Sequence, residues 1–227
     1  MICPRASVLL SVVLGLWSPF VPTPTAFSQP TPAGDWNFDN PLDLTHATIG
    51  SDLALVGTHT SIPGVSVVDG AVTIGVGSHY VCDHGLSPIP GDSRVNLYSL
   101  LIDFRVPSLG QWYAFFQTNE ANTDDGDCFV RSSDARVGVG SSGYSDSSLS
   151  AGTWYRLVVV ADLQGGDYDI YLDGVRILNG TASQVNGRFS LGPTLLLFAD
   201  QDGEDNPIDV SRVAIFDAAL TPLEILQ

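Results

Sequence analysis

Lysine is absent from this 227-residue sequence, and glutamate nearly so. All nine basic residues are Arg, and of 25 acids only Glu120, Glu204 and Glu224 are Glu, the other 22 being Asp. Methionine occurs once. Lys, Glu and Met favour helix, so their scarcity excludes a helical bundle or a coiled coil. The formal charge of −16 provides no cluster of cations for a phosphate backbone, which excludes nucleic acid as a partner. Charged residues are only 15% and hydrophobics 44%, a balance that excludes a disordered chain.

The N-terminus has a separate character. Arg5 precedes the apolar run Ala6–Trp17, which is shorter than a membrane span, and Ala26-Phe27-Ser28 fits the small-x-small cleavage rule. Residues 1–28 therefore read as a secretory signal peptide, with an uncleaved anchor as the alternative, and 29–34 as a Pro/Thr linker. No later apolar run approaches the length of a transmembrane segment. Export leaves two cysteines, Cys82 and Cys128, and an oxidising compartment makes a disulfide between them the expectation, with two buried thiols as the alternative.

Residues 35–227 read as one all-β domain. Tyr98, Leu100, Ile102 and Phe104 alternate with polar neighbours, as do Tyr155, Leu157 and Val159, and Tyr168, Ile170 and Leu172. A period of two places each apolar set on one strand face. Further strands are expected at 71–76, 111–118, 127–131, 194–199 and 208–216. In the last, the apolar phase switches between Ile208/Val210 and Val213/Ile215, which predicts a β-bulge near Ser211–Arg212. Asp173-Gly174 is a hairpin turn signal. Gly138, Gly140 and Gly143 read as punctuating a Ser-rich loop. They match G-x-G-x-x-G literally, but no helix or βαβ unit follows, so a dinucleotide site is rejected. The one helix signal is Thr221-Pro-Leu-Glu224, a capping box with Pro at the first helical position.

Several segments carry a resemblance. They include Gly152-Thr-Trp154-Tyr155-Arg156-Leu157, Tyr171-Leu-Asp173-Gly174 and Val213-Ala-Ile-Phe-Asp-Ala-Ala-Leu220. Over residues 35–227 the sequence resembles the laminin-G-like, concanavalin A-like jelly-roll domains of secreted bacterial-type proteins. The resemblance implies a two-sheet antiparallel jelly-roll sandwich with a short C-terminal helix. For function it implies a range: glycan binding, protein adhesion, or an accessory role beside a secreted enzyme.

The residues narrow that range. Hydrolases of the resembled family usually carry E-x-D-x-x-E on one strand, and glycoside cleavage needs a carboxylate pair flanking the bond. The pattern is absent, and no catalytic residue is assigned. The strongest positive signal is acidic: Asp200, Asp202, Glu204 and Asp205 fall just after an apolar strand, with Asp124, Asp125 and Asp127 after another. Such hard oxygen donors suit calcium, which would also relieve their mutual repulsion; solvated turn residues are the alternative. A second signal is Trp112 and Tyr144 beside Gln117, Asn119, Asn122 and Asp125, where rings would stack on sugar faces and amides take hydroxyls. Trp36 and Trp154 are assigned to the core. The expectation is a secreted, non-catalytic, lectin-like domain binding an extracellular glycan or protein surface, with calcium. The rivals are an adhesion module lacking a sugar site and a carbohydrate-active enzyme using unrecognised Asp residues.

Overall fold

The computed structural model describes residues 30–182 and 184–227. The signal-peptide assignment, 1–28, lies outside the described residues. Among the described residues fifteen strands run in order: β1 (Gly34–Trp36), β2 (Ala54–Val56), β3 (His59–Pro63), β4 (Gly70–Ile74), β5 (His79–Asp83), β6 (Leu97–Arg105), β7 (Tyr113–Gln117), β8 (Cys128–Val130), β9 (Arg136–Val139), β10 (Gly143–Ser148), β11 (Trp154–Asp162), β12 (Asp167–Leu172), β13 (Val175–Thr181), β14 (Thr194–Leu197) and β15 (Ile208–Phe216). The helix α1 (Pro222–Ile225) follows, with the expected Thr221/Glu224 capping box.

The strands make two antiparallel sheets. One has the order β13-β12-β11-β6-β15-β4-β3, with β1 also on β15; the other is β10-β9-β8-β7-β14-β5-β2. Their inner faces meet in one core, in which Phe104 of β6 meets Phe115 of β7 edge-on at 4.6 Å. A second, smaller core lies on the outer face of the eight-stranded sheet, where Leu220 and Ile225 of the C-terminal segment cover Leu101, Val158, Ala214 and Phe216.

Two bulges decide which side chains face outward. The first is the expected one: the β15–β6 register shifts between Val210 and Arg212, so Val210 and Val213 pack inward while Arg212 reaches the outer face. The second lies in β7, where Ala114 faces Phe129 but Phe116 faces Cys128. Phe116 also lies opposite Leu197, and Leu197 opposite Tyr80, whose hydroxyl is hydrogen-bonded to His59 on the other sheet. Phe115 and Phe116 therefore both point inward, and Gln117 is turned outward.

Three expectations are corrected. Residues 138–143 belong to the hairpin β9–β10 and not to a free loop. Gly138, at φ +148°, packs so closely that a Cβ there would come 2.1 Å from the carbonyl oxygen of Gly143; glycine marks close strand approach here. Among the described residues Cys82 and Cys128 are free, buried thiols, with no disulfide between them. They sit on β5 and β8, three strand spacings apart, about 14 Å, which is twice the Cα separation a disulfide spans. Trp36 is buried, but Trp154 is only partly so and carries the Arg105 guanidinium over its ring at 4.8 Å.

Candidate functional site

The loops following β7 and β14 join two acidic segments that are some 75 residues apart in sequence. The first, residues 118–127, folds over the outer face of the seven-stranded sheet. Gly126 lies against Phe129, and a Cβ there would come 2.7 Å from the ring, so the loop can approach this closely only with glycine. Beneath it Gln117 is fully buried, its Nε2 donating to Asn122 Oδ1 (3.1 Å) and to the Asp124 carbonyl (2.5 Å), while its Oε1 has no partner among the described residues. Asn119 Nδ2 donates to Asp124 Oδ2 (2.6 Å). Asp127 is buried and ion-paired with Arg188 at 2.9 Å.

The second segment starts where Phe198, at φ +66°, turns the chain out of β14. A bulky side chain in that left-handed region is strained. Asp200 is buried, and its carboxylate accepts the backbone amides of Gly126 (3.1 Å), Asp202 (3.1 Å) and Glu204 (3.3 Å). Gln201 Nε2 donates to Asp125 Oδ1 at 3.2 Å, which ties the two loops together.

Carboxylate oxygens of Asp200, Asp202 and Glu204 lie within 4.8 Å of one another. A hydrogen bond to Asp200 raises the pKa of Asp202. Partial burial, then the charges of Asp200, Asp202 and Asp125, push Glu204 up to about 7. Three carboxylates this close cannot all ionise freely without a counter-charge. Their hard oxygens are the donor set of calcium, whose remaining ligands are ordinarily carbonyls and water. Asp205 is not in this group: its backbone pairs with Tyr113 and accepts the Gly77 amide, and burial raises its pKa.

A cavity of about 640 Å³ opens beside the first loop, lined by Asn119, Glu120, Asp124, Asp125, Arg94 and Arg188. Of the residues predicted for a ligand, Asn119 and Asp125 line it, and Gln117 and Asn122 brace the loop that forms it. Trp112 and Tyr144 lie elsewhere on the sheet. Trp112 packs its edge on Phe129, and Tyr144 has the Arg131 guanidinium over its ring at 4.1 Å, so that face is already taken. The two arginines were missed by the sequence reading, because single Arg residues more than 90 positions apart leave no local pattern.

The arrangement of two apposed antiparallel sheets agrees with a family model, for the concanavalin A-like lectin/glucanases superfamily, that matches residues 95–226. The chain belongs to this superfamily. No curated protein matches the sequence. Among solved structures, domain 4 of AbnA, a GH43 extracellular arabinanase from Geobacillus stearothermophilus, in complex with arabinotriose, superposes with TM-score 0.61 at 18% identity, covering 86% of this chain and 96% of that one. Trypanosoma rangeli sialidase gives 0.64 at 14%, covering 92% and 34%. The botulinum neurotoxin serotype D binding domain gives 0.61 at 12%, covering 86% and 49%. The chain thus spans one third to one half of the latter two, and at these identities the likeness is one of fold.

Proposed function

We propose that this superfamily member is a secreted, non-catalytic, lectin-like domain that binds an extracellular glycan beside a calcium ion held by Asp200, Asp202 and Glu204. The observation that carries the reading is the contact between the cavity and the acidic group through Asp125, which lines the one and acts electrostatically on the other. Calcium would fix the two loops and so shape the cavity, whose amides, carboxylates and guanidinium groups offer both donors and acceptors to hydroxyls. The buried, unpartnered Gln117 Oε1 beneath the same loop supports a ligand nearby. The arabinotriose in complex with the arabinanase domain and the naming of the neurotoxin fragment as a binding domain agree with recognition on this fold. The non-catalytic assignment rests on the dispersal of the three Glu residues: Glu120 lines the cavity, Glu204 joins the acidic group and Glu224 caps α1.

Two measurements test the reading. At tenfold excess over Kd, calcium is expected to raise Tm by about 3–5 °C, and Asp200→Asn/Asp202→Asn to remove the shift. A glycan array read with calcium and again with EGTA is expected to show hits that EGTA removes. No Tm shift removes the calcium; an array without hits removes the glycan. The adhesion reading would then rest on the β3–β4 hairpin tip, where Val65, Val67 and Val68 are exposed.

A further inference from the structure

The opposite side of the sandwich holds a cavity that the acidic loops do not explain. Its floor is the outer face of the eight-stranded sheet, on which charged residues form a cross-strand row. Arg156 of β11 donates to Asp103 of β6 through Nε (2.7 Å) and Nη2 (2.8 Å); Arg212 of β15 donates in the same way to Asp35 of β1 (2.9 and 3.2 Å). Asp103 lies opposite both Arg156 and Arg212 in register, so the charges alternate across four strands. Next to this row, Arg105 holds the Trp154 indole from one side and Asp209 with its Nε and Nη2 on the other.

The cavity measures about 540 Å³, within the usual span of small-ligand sites. It is walled by Val65 and Asp69 of the β3–β4 hairpin on one side, and by Asp173, Gly174 and Leu226 on the other. Gly174 matters to that wall, because a Cβ there would come 2.5 Å from Leu226 Cδ2. With glycine at this position the Leu226 side chain lies directly against the β12–β13 turn.

Three properties define the ligand. Each floor guanidinium is locked in plane by a two-point carboxylate contact, and among the described residues neither Arg156 nor Arg212 has a partner for Nη1, so each retains unused donors. Trp154 is a partly exposed ring lining the space, with the Arg105 guanidinium over one of its two faces. Asp39, Asp69, Asp103 and Asp173 in the lining outnumber Arg156 and Arg212, which disfavours an anionic ligand. Fixed donors, carboxylate acceptors and an aromatic plate in a net-negative hollow suit neutral polyhydroxylated rings, whose hydroxyls donate and accept and whose C–H faces stack.

We propose that this cavity is a second binding site, for a neutral oligosaccharide, on the sheet face opposite the acidic loops and independent of calcium. The test is affinity electrophoresis of the whole chain in EGTA, through gels containing linear arabinan, xyloglucan, mixed-linkage β-glucan or mannan, with alginate as the anionic arm. Retardation by at least one neutral polysaccharide is expected. Trp154→Ala should weaken it about tenfold, the loss of about 1.4 kcal/mol. Leu226→Trp, which fills the mouth from a mostly exposed position and leaves the floor intact, should abolish it. Asp202→Asn, in the acidic loops, should leave it unchanged, which separates this site from the calcium-linked one. The proposal is overturned by no retardation in any neutral gel, by retardation in alginate alone, or by full retardation of Leu226→Trp.

Discussion

Asp127 has almost no contact with water, and among the described residues the Arg188 guanidinium is its only cation partner. Burial raises its pKa even though the Thr118 amide and Arg188 favour the ionised form. Removing the partner strands a buried carboxylate, so Arg188→Ala is expected to cost about 3 kcal/mol in urea denaturation, near the low end for broken buried pairs because Arg188 itself is partly exposed. Breaking the solvent-screened pair Arg131–Asp134 should cost far less in the same assay. Glu204 gives a pH signature. In the folded chain it takes up its proton near pH 7, and in the unfolded chain near its ordinary 4.5. Between those values the native state holds more protons, so in EGTA the contribution of Glu204 is complete below about pH 4.5 and is lost as pH rises through about 7. Tm in EGTA should therefore rise as pH falls from 8 towards 5, by less in Glu204→Gln. An identical profile in that variant would refute the assignment.

At the scale of elements, the C-terminal segment is a clasp. Thr221 and Glu224 cap α1 reciprocally, and Leu220 and Ile225 seal the smaller core. Thr221→Ala is expected to cost about 1 kcal/mol by thermal melting. That clasp was legible in the sequence, because a capping box is a local signal. So was the Ser211 bulge, since the apolar phase changes visibly from Ile208/Val210 to Val213/Ile215. The β7 bulge was not: Tyr113-Ala-Phe-Phe-Gln117 has aromatic residues in both phases, so alternation gives no direction for Gln117. The short strands β2 and β3 escaped for a different reason. Their residues are largely exposed or only partly buried, and so carry no apolar alternation. The acidic group at 200–204 could be read directly because its members are neighbours in sequence. Its link to Asp125 depends on loop packing, and the Arg156–Asp103–Arg212–Asp35 row on register across four strands.

Over the whole molecule, the sheets keep the two cysteines apart. Alkylation of the unfolded chain without reductant is expected to label both Cys82 and Cys128, as read by mass spectrometry; an unlabelled pair would contradict the strand order. The two candidate sites occupy opposite faces of the sandwich. A chain with both could bridge two strands of a polysaccharide, and its avidity for a dense glycan surface would exceed that of either site alone.

The position of β15 has a consequence for how such a chain comes to be folded. Among the described residues it is the last strand in chain order, yet it lies inside the eight-stranded sheet, between β6 on one edge and β4 and β1 on the other. Until residue 216 leaves the ribosome, the first strand has no partner in its sheet and β4 and β6 have nothing between them. The eight-stranded sheet therefore cannot be completed before β15 is available. A chain stopped before residue 208 lacks the middle of a sheet, where a lost edge strand would be tolerable, and should remain protease-sensitive throughout.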